Sequence, residues 1–364
     1  MRCQPYFVHF IKAYSRSLLC PKRDKGVEDM KKGFSLLILG LLLIIGLSAC
    51  GAKSQADVQK ALNKQMEEMT GYKANATLTL QTGNEPQNYN IDIWRNKPDF
   101  YRVHLKSDNK DQSQMILRND EGVFVITPAL NKSFKFQSDW PENTSQAYLY
   151  ESLVRDILND KDAKFTATDS QYIFETKTNY QNNKTLPTQE ITINKKDLTP
   201  AMVKVFDQDR QPLVQVEFAG FEFNPKFDAN AFDLEKNKTG AEMDTPTMAQ
   251  PANAKLMVLY PENTPGMELI EEKKVETESG ERIVLTYAGE KSFTLYEEVA
   301  SVLPASTPIL VDGEPIDLGF TVGTLTENAV SWSYDGVDFY LASEDLSQAE
   351  MAEIARSVQG QAIK

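Results

Sequence analysis

The sharpest chemistry in this chain lies in four consecutive residues, Leu47, Ser48, Ala49 and Cys50. Small residues ending in cysteine, directly after an apolar run, form the lipobox pattern. The cysteine thiol takes a diacylglyceryl group before cleavage, so the cleaving peptidase requires Cys at the first mature position. Ahead of it, Lys31 and Lys32 precede the apolar run Gly33 to Gly46, "GFSLLILGLLLIIG". A cationic start, an apolar core and a small-residue cleavage site are the parts of a secretory signal. From Gly33 to Leu47 is 15 residues, short of the roughly 20 that a membrane-spanning helix needs. The expectation is a lipoprotein signal peptide at 30–49, lipid attachment at Cys50 and a tether at 50–53. The body is then held on the extracytoplasmic face of the cell membrane. Residues 1–29 show no pattern of their own and read as a mis-called start, with Met30 opening the signal.

From Cys50 onward the chain holds one cysteine and one histidine, His104. Disulfides within the mature part are therefore excluded, and so is a Cys or His zinc site. Serine or cysteine nucleophilic machinery would rest on His104 alone. That residue sits in the alternating run "FYRVHLK", where it shares the polar face with Arg102. No phosphate-cradling glycine loop is present. The expectation is no enzyme, no catalytic residue, no metal and no cofactor. Residues 1–49 carry 8 Lys/Arg and 3 Asp/Glu, which leaves 31 basic and 49 acidic residues after them, a net of −18. So acidic a body argues against nucleic acid as a partner, because phosphates call for a basic footprint.

Carboxylate-only catalysis stays open by composition, but no particular pair is marked, so the expectation is a body that acts by binding, and its elements say how. A helix is expected over roughly Ser54 to Thr70: Ser54 and Asp57 form a capping box, and Val58, Ala61, Leu62, Met66 and Met69 form one apolar stripe. Gly71 is placed to cap its end. The period then changes to two. Leu78 and Leu80, Ile91 and Ile93, and Val103 and Leu105 fall on the apolar faces of three successive alternating runs. Further strands are expected near 112–118, 122–128, 132–137, 163–168, 171–178, 188–194, 201–207 and 213–223, interrupted by a helix at roughly Thr144 to Asn159. The total is eleven strands and two helices over 54–235. Residues 236–253 hold two prolines and lack apolar periodicity, so they read as a linker. Alternating runs resume at 254–364, among them "KLMVLYP" and "IDLGFTVG". They end in a helix with Ser347 and Glu350 in a capping box.

A leading helix, eleven antiparallel strands and a helix after the sixth strand resemble the LolA/LolB lipoprotein-carrier fold. "WRNKPDFYR" (Trp94 to Arg102) is similar to that family's aromatic–x3–Pro–x3–Arg stretch, and "VQVEFAGFEFNPKFDANAFDL" (Val214 to Leu234) resembles its closing segment. The two-part plan is similar to sporulation-associated LolA-like lipoproteins of endospore-forming Gram-positive bacteria. The fold class implied is mainly β with α: an eleven-strand antiparallel half-barrel covered by helices, plus a smaller α+β C-terminal domain. A half-barrel that wide leaves room for an apolar cavity lined by Leu78, Leu80, Ile91, Ile93, Val103 and Leu105. The partner implied is an acyl chain or lipoprotein. The alternative is an envelope protein bound in the manner of the RseB stress sensor, whose two-domain outline is also similar.

Overall fold

Alternation of apolar and polar residues from Gly71 onward builds one large sheet. In this computed structural model residues 53–358 are described, apart from 82–85, 108–112, 142–145, 181–184, 246–255, 278–279 and 304–306. The signal segment and Cys50 lie outside the described residues. Helix α1 (Gln55–Glu68) starts at Ser54, whose hydroxyl and Asp57 close the capping box in both directions. It ends before Gly71, which does not cap it. Gly71 is the first residue of strand β1 (Gly71–Leu80), where a Cβ would stand 2.1 Å from the Arg95 carbonyl oxygen. Only glycine permits the neighbouring backbone that close.

Strands β2 (Gln87–Asn96), β3 (Phe100–Ser107), β4 (Gln114–Asn119), β5 (Gly122–Thr127) and β6 (Lys132–Phe136) add outward from β1 as an antiparallel meander. Helix α2 (Tyr150–Asn159) carries the chain across to the far edge. It begins six residues later than the spacing of its leucines suggested, with residues 142–145 outside the described set. Strands β7 (Lys164–Ala167), β8 (Gln171–Lys177), β9 (Thr188–Asn194), β10 (Pro200–Phe206) and β11 (Pro212–Phe223) then return until β11 pairs with β1. These are the eleven antiparallel strands expected. Both helices lie against the inner face and touch each other, with Gln59 Nε2 donating to the Ile157 carbonyl at 2.9 Å.

Helix α3 (Leu234–Asp244) stands where a linker was expected, and the remainder of that stretch, 246–253, is not described. Its buried residues, Leu234, Asn237, Lys238 and Ala241, follow helical spacing. Two of the four are polar, which is why no apolar stripe shows in the sequence. Met115, Leu117, Phe124 and Ile126, on the outer faces of β4 and β5, form a second cluster with Leu234 and Ala241 of α3 and with Phe232.

The C-terminal sheet runs in the order β12 (Met267–Thr277), β13 (Gly280–Gly289), β14 (Ser292–Val299), β19 (Val337–Ala342), β18 (Ala329–Tyr334), β17 (Val322–Leu325) and β16 (Glu314–Asp317). Two expectations need correction here, and one strand was not expected. "KLMVLYP" forms no strand in its described part, 256–261. "IDLGFTVG" is two strand ends joined by a turn. β12 has almost no apolar face to read, because it is an edge strand with most residues exposed and its charges keep that edge from pairing. A strand that falls in sequence between β14 and β16 of the C-terminal sheet, β15 (Ile309–Val311), joins the half-barrel instead, parallel to β6, and makes its sheet twelve-stranded. Asp335 and Gly336 both adopt left-handed φ, 49° and 73°, as a two-residue hairpin turn between β18 and β19 demands. Helix α4 (Gln348–Arg356) closes the fold, with Ser347 and Glu350 completing its capping box.

Candidate functional site

The inner face of the half-barrel was the expected binding surface. All six candidate residues lie on it: Leu78, Leu80, Ile91, Ile93, Val103 and Leu105 are each 6% exposed or less and belong to one hydrophobic cluster. That cluster also contains Val58 and Leu62 of α1, and Leu153, Val154 and Ile157 of α2. It continues into the C-terminal part through Ile316, Leu318, Phe320 and Val322.

Between β16 and β17 the chain turns against the mouth of the half-barrel. Gly319, at φ 90°, puts its backbone so close that a Cβ there would lie 3.7 Å from a Leu80 methyl. Tyr89 donates its hydroxyl to the Phe320 carbonyl at 3.0 Å. The buried Gln114 side chain of β4 reads the Val322 backbone in both directions: its oxygen accepts from the amide at 2.6 Å, and its nitrogen donates to the carbonyl at 3.3 Å. The same oxygen accepts from the Thr321 hydroxyl at 3.2 Å. A glutamine directly ahead of the apolar run Met115–Leu117 is the trace this contact leaves in the sequence.

Deeper on the inner face, polar groups cluster around Glu151. Arg95 of β2 and Glu151 of α2 form a buried ion pair. Tyr72 donates to the other Glu151 oxygen at 2.9 Å and accepts the Tyr150 amide at 3.2 Å. Burial, and then the Glu151 charge, push the Tyr72 hydroxyl well above its ordinary value, so it stays a donor. The group pins α2 to the sheet.

A smaller seam lies at the edge. Lys132 of β6 pairs with Asp338 of β19 at 2.6 Å beside a pocket of about 170 Å³ walled by Phe136, Val322 and Trp332. His104 lies on the outer face with Arg102, as the alternation implied, but α3 covers that face and leaves His104 1% exposed, with neither ring nitrogen hydrogen-bonded. Burial, then the charges of Lys106 and Arg102, lower its pKa to about 4. Among the described residues no group of three or more His, Cys, Asp or Glu is placed to hold a metal ion, and no helix is long and apolar enough to cross a membrane.

These features define a helix-covered β half-barrel whose inner face is packed against a second, smaller sheet module. The family model described as "Sporulation protein YdcC-like" matches residues 31–232. The sporulation protein YdcC of Bacillus subtilis (strain 168) is 54% identical over 339 residues, covering 93% of this chain and all of the relative. The chain belongs to this YdcC-like family of sporulation proteins. Among solved structures, the MucA/MucB complex of Pseudomonas aeruginosa is 12% identical, covering 82% of this chain and 98% of that one with a TM-score of 0.29. A LolA superfamily protein from Nitrosomonas europaea is 9% identical, covering 49% of this chain and 98% of that one with a TM-score of 0.28.

Proposed function

We propose that this protein is a sporulation lipoprotein, tethered to the extracytoplasmic face of the cell membrane through Cys50, and that it works by binding another protein of the envelope. One observation carries the choice of binding over lipid carriage. The inner face, where an acyl chain would lie, is filled by α1, α2 and the protein's own turn at 317–322, with Gln114 and Tyr89 satisfying that turn's backbone. An acyl chain would have to displace all of these contacts. The lipobox at Leu47–Cys50 supports the anchor, and the strongly acidic body supports a protein partner over nucleic acid.

The test is photo-crosslinking in sporulating cells, with a diazirine-bearing aliphatic residue placed in the full chain at Leu80 or at exposed Leu310. The expected result is adducts from Leu80 only to the protein's own 317–322 segment, and adducts from Leu310 to one envelope protein. Acyl adducts at Leu80 would replace this reading with a carrier whose turn swings out. In the same cells Cys50→Ala should abolish labelling by a fatty-acid probe. Label persisting on that variant would remove the anchor.

A further inference from the structure

The outer face of the half-barrel carries a second concavity, of about 380 Å³, between the strands and α3. Its walls are cationic and aromatic: Lys73, Arg102, Lys226 and Lys236 stand around Trp94 and Phe227. A single acid, Asp228, lines it. This is unusual on a chain whose net charge is −13.

How the cations are held gives the pocket its meaning. Lys73 Nζ sits 4.6 Å from the Trp94 ring centre and 5.0 Å from that of Phe227. Arg102 covers Trp94 at 4.4 Å. Ring faces attract a cation but do not neutralise it, so the Lys73 charge is positioned and still available. Arg102 is fixed further by Asp92 at 2.6 Å and by the Asn237 side-chain Oδ1, which accepts from its Nε at 2.7 Å. Asp92 in turn accepts from the Trp94 indole at 3.0 Å, which locks the ring. Lys236 donates to Asn230, a neutral side chain, at 2.8 Å. Among the described residues Lys73, Lys226 and Lys236 have no carboxylate within ion-pair distance. Gly240 of α3 lines the opening, and a Cβ there would meet nothing within 4 Å. The mouth is open.

We propose that this pocket binds a phosphate-bearing anion. Three lysines without a carboxylate partner and an Asp92-paired arginine line the space, and a phosphate's acceptor oxygens are the group such donors match. The pocket is larger than inorganic phosphate needs, so the phosphate is carried on a small polar group such as glycerol or a sugar. That chemistry occurs both in an anionic phospholipid headgroup and in a soluble phosphate monoester. The inference stands apart from the protein-partner reading, because the pocket and the inner face lie on opposite sides of the sheet.

The test uses the full chain in phosphatidylcholine nanodiscs, with W140F and W332F leaving Trp94 as the sole indole. Titration with glycerol 3-phosphate reads a soluble ligand. Exchange into phosphatidylglycerol nanodiscs reads a headgroup. A saturable change in Trp94 fluorescence in either arm supports the site and names its source. K73Q with K226Q should weaken the response at least tenfold, and so should G240E, which fills the mouth while leaving every ligand group in place. K106Q, an exposed lysine of β3 outside the pocket, should leave it unchanged. No response in either arm, or an equal response in K73Q/K226Q and the parent, would overturn the proposal.

Discussion

Two buried titratable residues on different sheets act against each other. His104, with a pKa of about 4, is neutral in the folded protein where an unfolded histidine near 6.5 would be charged. Its contribution to stability is complete above 6.5 and is lost as pH falls to 4. Glu297 of β14 is fully buried. Burial pushes its pKa up to about 7, the Leu259 amide bond opposes this, and the Glu272 charge adds to it. The folded carboxyl keeps a proton that the unfolded one releases near 4.5, so its contribution is complete below 4.5 and is lost as pH rises to 7. Each shift corresponds to about 3 kcal/mol, at about 1.4 kcal/mol per pH unit. Between pH 4.5 and 6.5 the two slopes cancel. Urea unfolding across that window should show it. Relative to the parent, Glu297→Gln should gain stability with rising pH by about 1.4 kcal/mol per unit, and His104→Gln should lose it at the same rate. Parallel curves for parent and variants would show that neither group titrates in the fold as described. A second residue-scale expectation concerns Arg95 and Glu151. Glu151→Leu leaves a guanidinium buried without its partner and should cost roughly 3–5 kcal/mol, whereas Arg95→Met with Glu151→Leu should recover much of that loss. Denaturant midpoints of the single and double variants decide it, and an additive double variant would contradict a coupled pair.

At the scale of elements, the turn between β16 and β17 decides what the half-barrel is. Its backbone groups at Val322 depend on one side chain, Gln114. Gln114→Leu orphans a buried amide and a buried carbonyl and should cost about 1–3 kcal/mol for each group left unpaired. The Val322 amide should then exchange its hydrogen faster than the amides of the central strands. Leu80→Phe should cost about 1–3 kcal/mol through overpacking against Gly319. A neutral Leu80→Phe would mean that the inner face holds unfilled space. The physics also explains which elements could be read beforehand. Both capping boxes, at Ser54 and Ser347, and the one-sided alternation of β1, β2 and β3 are local signals, and they hold in the structure. The unbroken apolar runs Met115–Leu117 and Val123–Ile126 mark strands buried on both faces and so call for a cover on the outer side, a signal the linker expectation at 236–253 left unused. Its identity as α3 was hidden, because Asn237 and Lys238 occupy half of that helix's buried positions. β15 was hidden for another reason: three residues pairing in parallel with a strand some 170 positions earlier leave no local period.

At the scale of the whole molecule, the sequence suggested two domains on a linker, and we propose that the two halves fold together as one unit. Contacts group residues 54–364 into a single compact unit. One hydrophobic cluster runs from Val58 to Val358 through both sheets. Across the seam lie the Lys132–Asp338 pair, the Gln114–Val322 bonds, the Asn131 side chain on the Leu303 carbonyl at 2.7 Å, and the Leu303 amide on the Leu130 carbonyl at 3.1 Å. β15 crosses as well, so part of the C-terminal half is a strand of the N-terminal sheet. Cutting the chain between the halves should therefore not separate them. A site-specific protease sequence inserted after Ala249 gives a clean cut without touching any of these contacts. After cleavage the two pieces should co-elute from gel filtration and melt in a single transition. The melting temperature should fall modestly, because the cut releases chain entropy while the packed interface remains. The interface should part only when it is weakened directly: Asp338→Ala with Gln114→Leu in the cleaved protein removes the ion pair and orphans the Val322 backbone together. Pieces that elute separately after cleavage alone, with two melting transitions, would mean that the halves fold independently and that the inner face stands open in solution. The closed-face argument for a binding protein would fall with that result, and the acyl-carrier reading would take its place.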